Sequence, residues 1–165
     1  MSDRYAVIGN PVAHSKSPQI HAVFARQTGQ DMVYVKLPAP RGGFRAELAR
    51  FIAQGGRGLN VTVPFKQEAA AACQLVSQRA KFAQAVNTLT LNFADGVISG
   101  ENTDGAGLLR DLEVNLGLRV SGLRILLLGA GGAARGVIMP LIARGARMIV
   151  IANRDLSKAE ALQRR

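Results

Sequence analysis

A chain of 165 residues that is 48% hydrophobic and 19% charged has enough apolar material for a core and reads as soluble and globular. Its net charge of +10 suits an anionic small molecule better than nucleic acid, because the basic residues are scattered and aromatics make up only 5%. One cysteine, Cys73, excludes a disulfide framework or a multi-cysteine metal site and points to a reducing cytoplasm. No apolar run approaches the roughly 20 residues of a membrane span, and Met1-Ser-Asp-Arg leads into strand-like sequence without a signal-peptide pattern.

Taken in order, Tyr5 to Ile8 predicts a short buried strand, Gly9-Asn-Pro11 a turn, and Val12 to Ser17 a loop. Ser17 followed by Pro18 predicts a helix start with serine as N-cap; Ile20, Val23, Phe24 and Gln27 share one face, and Gly29 stops the helix. Ser15 and Ser17 then flank a helix N-terminus, where free N–H groups favour an anion such as a carboxylate. Plain capping by Ser17 is the competing reading. His14 and His21 lack nearby carboxylates or cysteines, so no metal site is expected, and His14 reads as a loop-shaping residue.

Met32 to Leu37 predicts the second strand, and residues 43–54 the second helix, with Phe44, Leu48, Phe51 and Ile52 on its buried face and Gly55 at its end. In the third strand, Asn60 and Thr62 alternate with Leu59, Val61 and Val63, which directs both polar groups to one side. Pro64 ends the ladder and leaves Phe65 and Lys66 at the turn into an Ala-rich helix. An amide, a hydroxyl and an ammonium at one strand end can hold a small polyhydroxylated ligand; a satisfied sheet edge is the bland alternative. Three strand–helix alternations imply an α/β fold with a mainly parallel sheet, whose ligands collect beyond the carboxyl ends of the strands. The loop with Ser15 and the turn with Lys66 both lie at such ends.

Helical pieces follow at 69–73 and 78–83, then a hairpin of Asn87 to Leu91 and Gly96 to Ser99 turning at Asp95-Gly96, and a helix over 106–116. Asp104 either caps that helix or stands as an opposite charge that keeps Lys66 ionised. Leu116 to Gly122 has linker composition. Beyond it, Arg124 to Leu128, the turn Gly129-Ala-Gly-Gly-Ala-Ala134, a helix reaching Arg144 and the strand Met148 to Ala152 form the context of a dinucleotide site. There Gly129 permits the tight turn, Gly131 the approach of a pyrophosphate, and Ala134 close helix–strand packing. Asn153-Arg154 stands where an NAD site places a carboxylate for the ribose, and a guanidinium suits a 2'-phosphate, so NADP is favoured; Asp155, one position on, leaves NAD open.

With these motifs in view, the chain resembles the shikimate dehydrogenase family. The matching stretches are Gly9 to Pro18, Gly58 to Lys66, Ala85-Val-Asn-Thr88, Asn102-Thr-Asp-Gly105, Gly129 to Ala134 and Asn153-Arg154, in the family's order. The resemblance implies a substrate domain at 1–103, a linker helix and connection at 104–122, and the start of a Rossmann-type NADP-binding domain at 123–165. It also implies NADP-dependent interconversion of 3-dehydroshikimate and shikimate on the route to aromatic amino acids. Ser15 and Ser17 would bind the carboxylate, and Asn60, Thr62, Asn87 and Asp104 the ring hydroxyls. Lys66 paired with Asp104 would be the acid/base. Gly129, Ala130, Gly131, Gly132, Ala133, Ala134, Asn153, Arg154 and Lys158 would bind NADP.

Ala22 and Gln84 depart from the family pattern at positions without chemistry, whereas a chain ending at Arg165 would lack most of the family's nucleotide domain. Uncovered strands and an uncovered helix face from Val137 to Ile142 would then make the chain unstable or associating, as a homodimer for instance, and catalytically weak. Alternatives are a quinate/shikimate dehydrogenase, against which Ser17 in place of threonine argues, and a non-catalytic shikimate-binding remnant.

Overall fold

A computed structural model describes residues 2–92 and 94–164; Met1, Phe93 and Arg165 lie outside the described residues. The chain divides into two units. One comprises residues up to Ser77 together with Val86–Glu101, and the other Gln78–Ala85 together with the chain from Asn102 onward.

The first unit is built on a six-stranded sheet in the order β2-β1-β3-β5-β6-β4. Its strands are β1 (Asp3–Gly9), β2 (Met32–Pro38), β3 (Gly56–Val61), β4 (Leu75–Val76), β5 (Thr88–Leu91) and β6 (Ile98–Glu101). The pairings β1–β2, β1–β3 and β4–β6 are parallel, and β5 runs antiparallel to both neighbours. The α/β architecture and the mainly parallel sheet therefore agree with the sequence reading, and the hairpin forms where expected, with Gly96 in the left-handed region.

Strand alternation gives the two faces different chemistry. Ala6, Ile8, Leu59, Val61, Leu89 and Leu91 are buried on one face. Helices α2 (Phe44–Ala53) and α3 (Lys66–Ala72) supply buried Phe44, Leu48, Phe51 and Ala69, and the Phe44 ring lies 5.6 Å from that of Phe65. On the other face the register aligns Tyr34 with Tyr5 and Gly58, then Lys36 with Val7, Asn60 and Thr88. Helix α1 (Ser17–Thr28) serves this polar face, ending at left-handed Gly29 as predicted. Its apolar stripe stays half open, however, with Ile20, Val23 and Phe24 at 48%, 40% and 53% exposure.

The second unit contains α4 (Gln78–Ala83), α5 (Asp104–Arg110) continued by a π-helical turn (Asp111–Asn115), the parallel pair β7 (Arg124–Leu128) and β8 (Met148–Ala152), α6 (Gly132–Ala143) and α7 (Leu156–Gln163). One face of the strand pair packs Leu127, Ile149 and Ile151 with Phe82 and Ala134 against Ala130, Ile138 and Leu162. The other face leaves Leu126, Leu128, Met148 and Val150 exposed. The expectation of a fully uncovered Val137–Ile142 face needs correction: Ile138 and Leu141 are buried, and only Met139 and Ile142 are open. Ile138 is enclosed by its cluster with Ala130, Leu162 and the strand side chains, while another side of α6 packs on α5, where Gly105 has no Cβ and so lets the Gly136 carbonyl and Pro140 come close.

Candidate active site

The loop after β1 and the turn after β3 meet at the carboxyl ends of their strands. Asn10 donates its backbone N–H to the Val63 carbonyl at 2.9 Å, and Thr62 donates to the Ile8 carbonyl at 3.0 Å. Gly9 makes the approach feasible, since a Cβ there would fall 2.4 Å from the Thr62 methyl. The loop is pinned further by the Lys36 ammonium, which donates to the Ala13 carbonyl.

Within that loop Ser15 and Ser17 come together. The Ser15 hydroxyl donates to Ser17 Oγ at 3.1 Å, and the Ser15 oxygen accepts the Ser17 backbone N–H at 3.2 Å. Plain capping by Ser17 does not occur: α1 starts at Ser17 itself, with Lys16 before it and no side-chain cap. Two hydroxyls therefore stand at a helix N-terminus whose first N–H is held by Ser15 and whose N-cap residue Lys16 adds no side-chain bond, where the helix dipole favours a carboxylate.

A second polar array crosses the sheet. The Tyr34 hydroxyl donates to Asn60 Oδ1 at 2.6 Å, Asn60 Nδ2 approaches Thr88 Oγ1 at 3.4 Å, and the Thr88 hydroxyl donates to Asn87 Oδ1 at 3.0 Å. Asn87 is fixed through its backbone too, donating to the Glu101 carbonyl and accepting from Val61 N–H at 2.8 Å. Burial pushes the Tyr34 phenol well above its ordinary range, an effect that interaction with the Ser17 side chain partly offsets. Lys66 opens α3, and its carbonyl accepts the Val86 N–H at 2.9 Å, which ties the start of α3 to the residue before Asn87.

A cleft of about 440 Å³ touches Tyr34, Asn60 and Thr88 but also Asp3, Met32 and Arg57. It lies toward the amino ends of β1 and β2, behind the array rather than at the Ser15–Lys66 end.

Tyr34, His21 and Thr88 escaped the sequence reading as site residues. The available signal was alternation in β2, where Tyr34 and Lys36 interleave with Val33, Val35 and Leu37 and so share one face. Among the described residues no three His, Cys, Asp or Glu side chains gather as metal ligands.

In the second unit Asp104 is the first residue of α5, and its backbone N–H is taken by the Asn102 side chain at 3.1 Å. The glycine turn after β7 leaves its backbone open at the start of α6. Gly129 sits at φ +110, accessible only to glycine without strain, and its N–H donates to the Ala152 carbonyl at 2.7 Å. A Cβ on Gly131 would meet nothing within 4 Å, and α6 begins at Gly132 without a side-chain cap. Arg135 in the first turn of α6, also missed by sequence, buries an Nε that has no hydrogen-bond partner among the described residues. Ala130 is buried under the turn, while Ala133 is exposed and Ala134 packs on the core cluster.

After β8, Asp155 is the N-cap of α7. Its carboxylate accepts from Ser157 N–H at 3.1 Å and Ser157 Oγ at 2.6 Å, and pairs with Lys158 at 3.4 Å. The Ser157 hydroxyl, with Lys158, holds the Asp155 carboxyl below its usual range. Asn153 donates to the Asp155 carbonyl at 2.8 Å, and Arg154 is exposed. The carboxylate that kept NAD open is thus engaged in its own helix cap.

These features define an α/β protein in which a polar site at strand ends precedes a strand–glycine turn–helix–strand unit of the dinucleotide-binding type. The shikimate dehydrogenase substrate binding domain matches residues 7–89, and the shikimate / quinate 5-dehydrogenase model matches residues 112–165. The chain belongs to the shikimate dehydrogenase family. It is 58% identical to the shikimate dehydrogenase (NADP(+)) of Nitrosospira multiformis over 99% of its own length and 59% of that relative's. It is similar, at TM-score 0.93 and 47% identity over 99% of this chain and 59% of the other, to an Ael1 enzyme from Pseudomonas putida. It also matches shikimate 5-dehydrogenase from Thermus thermophilus, solved with NADP(H) and shikimate, at TM-score 0.89 and 35% identity over 98% of this chain and 60% of that one. The chain therefore spans about three fifths of the length of these relatives.

Proposed function

We propose that the chain takes part in the reversible, NADP-dependent reduction of 3-dehydroshikimate to shikimate, in the cytoplasm, on the route to aromatic amino acids. The observation that carries this reading is the convergence of the Ser15–Ser17 hydroxyl pair, the Asn60–Thr88–Asn87 array and the start of α3 at Lys66 around the carboxyl ends of β1 and β3. The ligand pair follows that of the Thermus thermophilus structure.

In this reading Ser15 and Ser17 take the substrate carboxylate. Asn60, Thr62, Asn87 and Asp104 hold ring hydroxyls, and an array already hydrogen-bonded loses little freedom in doing so. Lys66 gives a proton to the C3 oxygen during reduction and takes it back during oxidation, an acid/base role worth about a hundredfold to ten-thousandfold. NADP, when bound, supplies or accepts the hydride.

Gly129, Ala130, Gly131, Gly132, Ala133 and Ala134 would cradle its pyrophosphate, with Arg135 adding positive charge. Asn153, Arg154 and Lys158 would meet the adenosine 2'-phosphate, and the engagement of Asp155 by α7 favours NADP over NAD. Residues 1–103 serve as substrate domain, 104–122 as connection and 123–165 as the nucleotide-binding part. A second copy over the open β7–β8 face would give a homodimer, which sedimentation across a concentration series reads directly.

The test is to mix the chain with shikimate and NADP and follow NADPH absorbance, for the parent and Lys66→Ala. Turnover by the parent that falls about 10²- to 10⁴-fold in the variant supports the reading. Equal turnover by both removes Lys66 from it. Equal use of quinate moves the assignment to a quinate/shikimate dehydrogenase, and shikimate binding without hydride transfer leaves a binding function only.

A further inference from the structure

We infer that Tyr34 is a positioning residue that fixes the Asn60 side-chain amide with its N–H toward the substrate. The inference rests on the reading above, in which Asn60 contacts a ring hydroxyl.

An asparagine amide has one accepting and one donating end, and which end faces a ligand is decided by the partners of the other. Here Asn60 Oδ1 is occupied by the Tyr34 hydroxyl at 2.6 Å, the shortest link of the array, while its Nδ2 has only a long contact to Thr88 at 3.4 Å. Flipping the amide would make the tyrosine hydroxyl accept instead of donate, and would set Oδ1 against Thr88 Oγ1, whose proton is already given to Asn87 Oδ1. Tyr34, backed by Thr88, therefore selects the donor end for the substrate.

The tyrosine is itself well placed for that task. Its ring is stacked on His21 with centroids 4.0 Å apart and planes within 14°. His21 is tethered in turn, because its Nδ1–H donates to the Ser17 carbonyl at 2.9 Å. Burial keeps the phenol protonated, so it remains a donor across the working pH range. One side chain thus links helix α1, which carries Ser17, to strand β3, which carries Asn60.

The inference is tested by calorimetric titration of shikimate into the parent chain, Tyr34→Phe, Asn60→Ala and the double variant, with circular dichroism reporting the fold. Tyr34→Phe keeps the ring and its stacking, and should weaken binding about tenfold. If Tyr34 acts through Asn60, the double variant binds as Asn60→Ala does; a purely structural role would make the two losses multiply. Unchanged binding by Tyr34→Phe, or multiplied losses, overturns the inference while leaving the functional reading intact. Failure of the parent to bind shikimate overturns that reading and the inference with it. Should Tyr34→Phe not fold, Asn60→Asp decides: it still accepts from Tyr34 but offers no N–H, so it should bind as weakly as Asn60→Ala, and parent-like binding overturns the inference.

Discussion

The two units each bury a core, but they differ in what the opposite face of the sheet carries. In the first, Ala6, Ile8, Phe44 and Phe65 are fully enclosed between a six-stranded sheet and its helices, and the polar array is held on the opposite face. In the second, two strands carry a small cluster on one face, and Leu128 on the other is 81% exposed. A wide sheet can dedicate one face to a core and the other to a site, whereas a two-stranded sheet has no such surplus. What it leaves open besides that face is backbone at a glycine turn and a helix end.

The contrast is broken most forcefully in the first core. Phe44→Ala should cost about 3–5 kcal/mol in denaturant unfolding. Hydrogen exchange should show the loss in β1 and β3 and leave the amides of β7 and β8 unchanged; equal loosening of both strand pairs would mean that the two units do not differ in this way.

A smaller effect is expected in the second unit from Asn102→Ala. Asn102 is a buried polar side chain there, donating to the Ala85 carbonyl at 3.0 Å and accepting from Asp104 N–H. Removing it strands both partners and should cost about 1–3 kcal/mol, with faster exchange at the start of α5. An unchanged unfolding curve would count against a structural role for Asn102.

The mildest expectation concerns Cys73. Burial pushes its thiol up to about 11, so the folded state retains the proton longer than the unfolded one. Stability from this group is present below the ordinary thiol range and is lost as pH rises from about 9 through 11. Alkylation of the folded chain should accordingly be slow at neutral pH and rise toward about pH 11. A rate that levels off near the ordinary thiol range would contradict this.

Much of the fold and of the candidate site is legible in the sequence, because local rules govern it. The Asn60–Val61–Thr62 alternation, Pro64, the Gly29 stop and the strand–turn–helix around Gly129 are each written within a few neighbouring residues. What escaped depends on partners distant in the chain. β4 is only Leu75–Val76, too short to show a period, and exists by pairing with β6. The role of Tyr34 arises from Asn60, far away in sequence, and from the His21 ring. Asp155 is the exception, since its capping partner Ser157 is close by in sequence and a local N-cap pattern was available there.

The excursion of Gln78–Ala85 into the second unit has a consequence for biosynthesis. This short helix carries Phe82, Ala80 and Ala83, yet Ile138 and Leu162, the companions of Phe82 in the cluster, are translated much later. During synthesis the nascent chain therefore extrudes an apolar turn between β4 and β5 that has nowhere to go until α6 and α7 emerge. Closing that long loop is slow in entropic terms, so chaperone capture or premature self-association should concentrate on this segment.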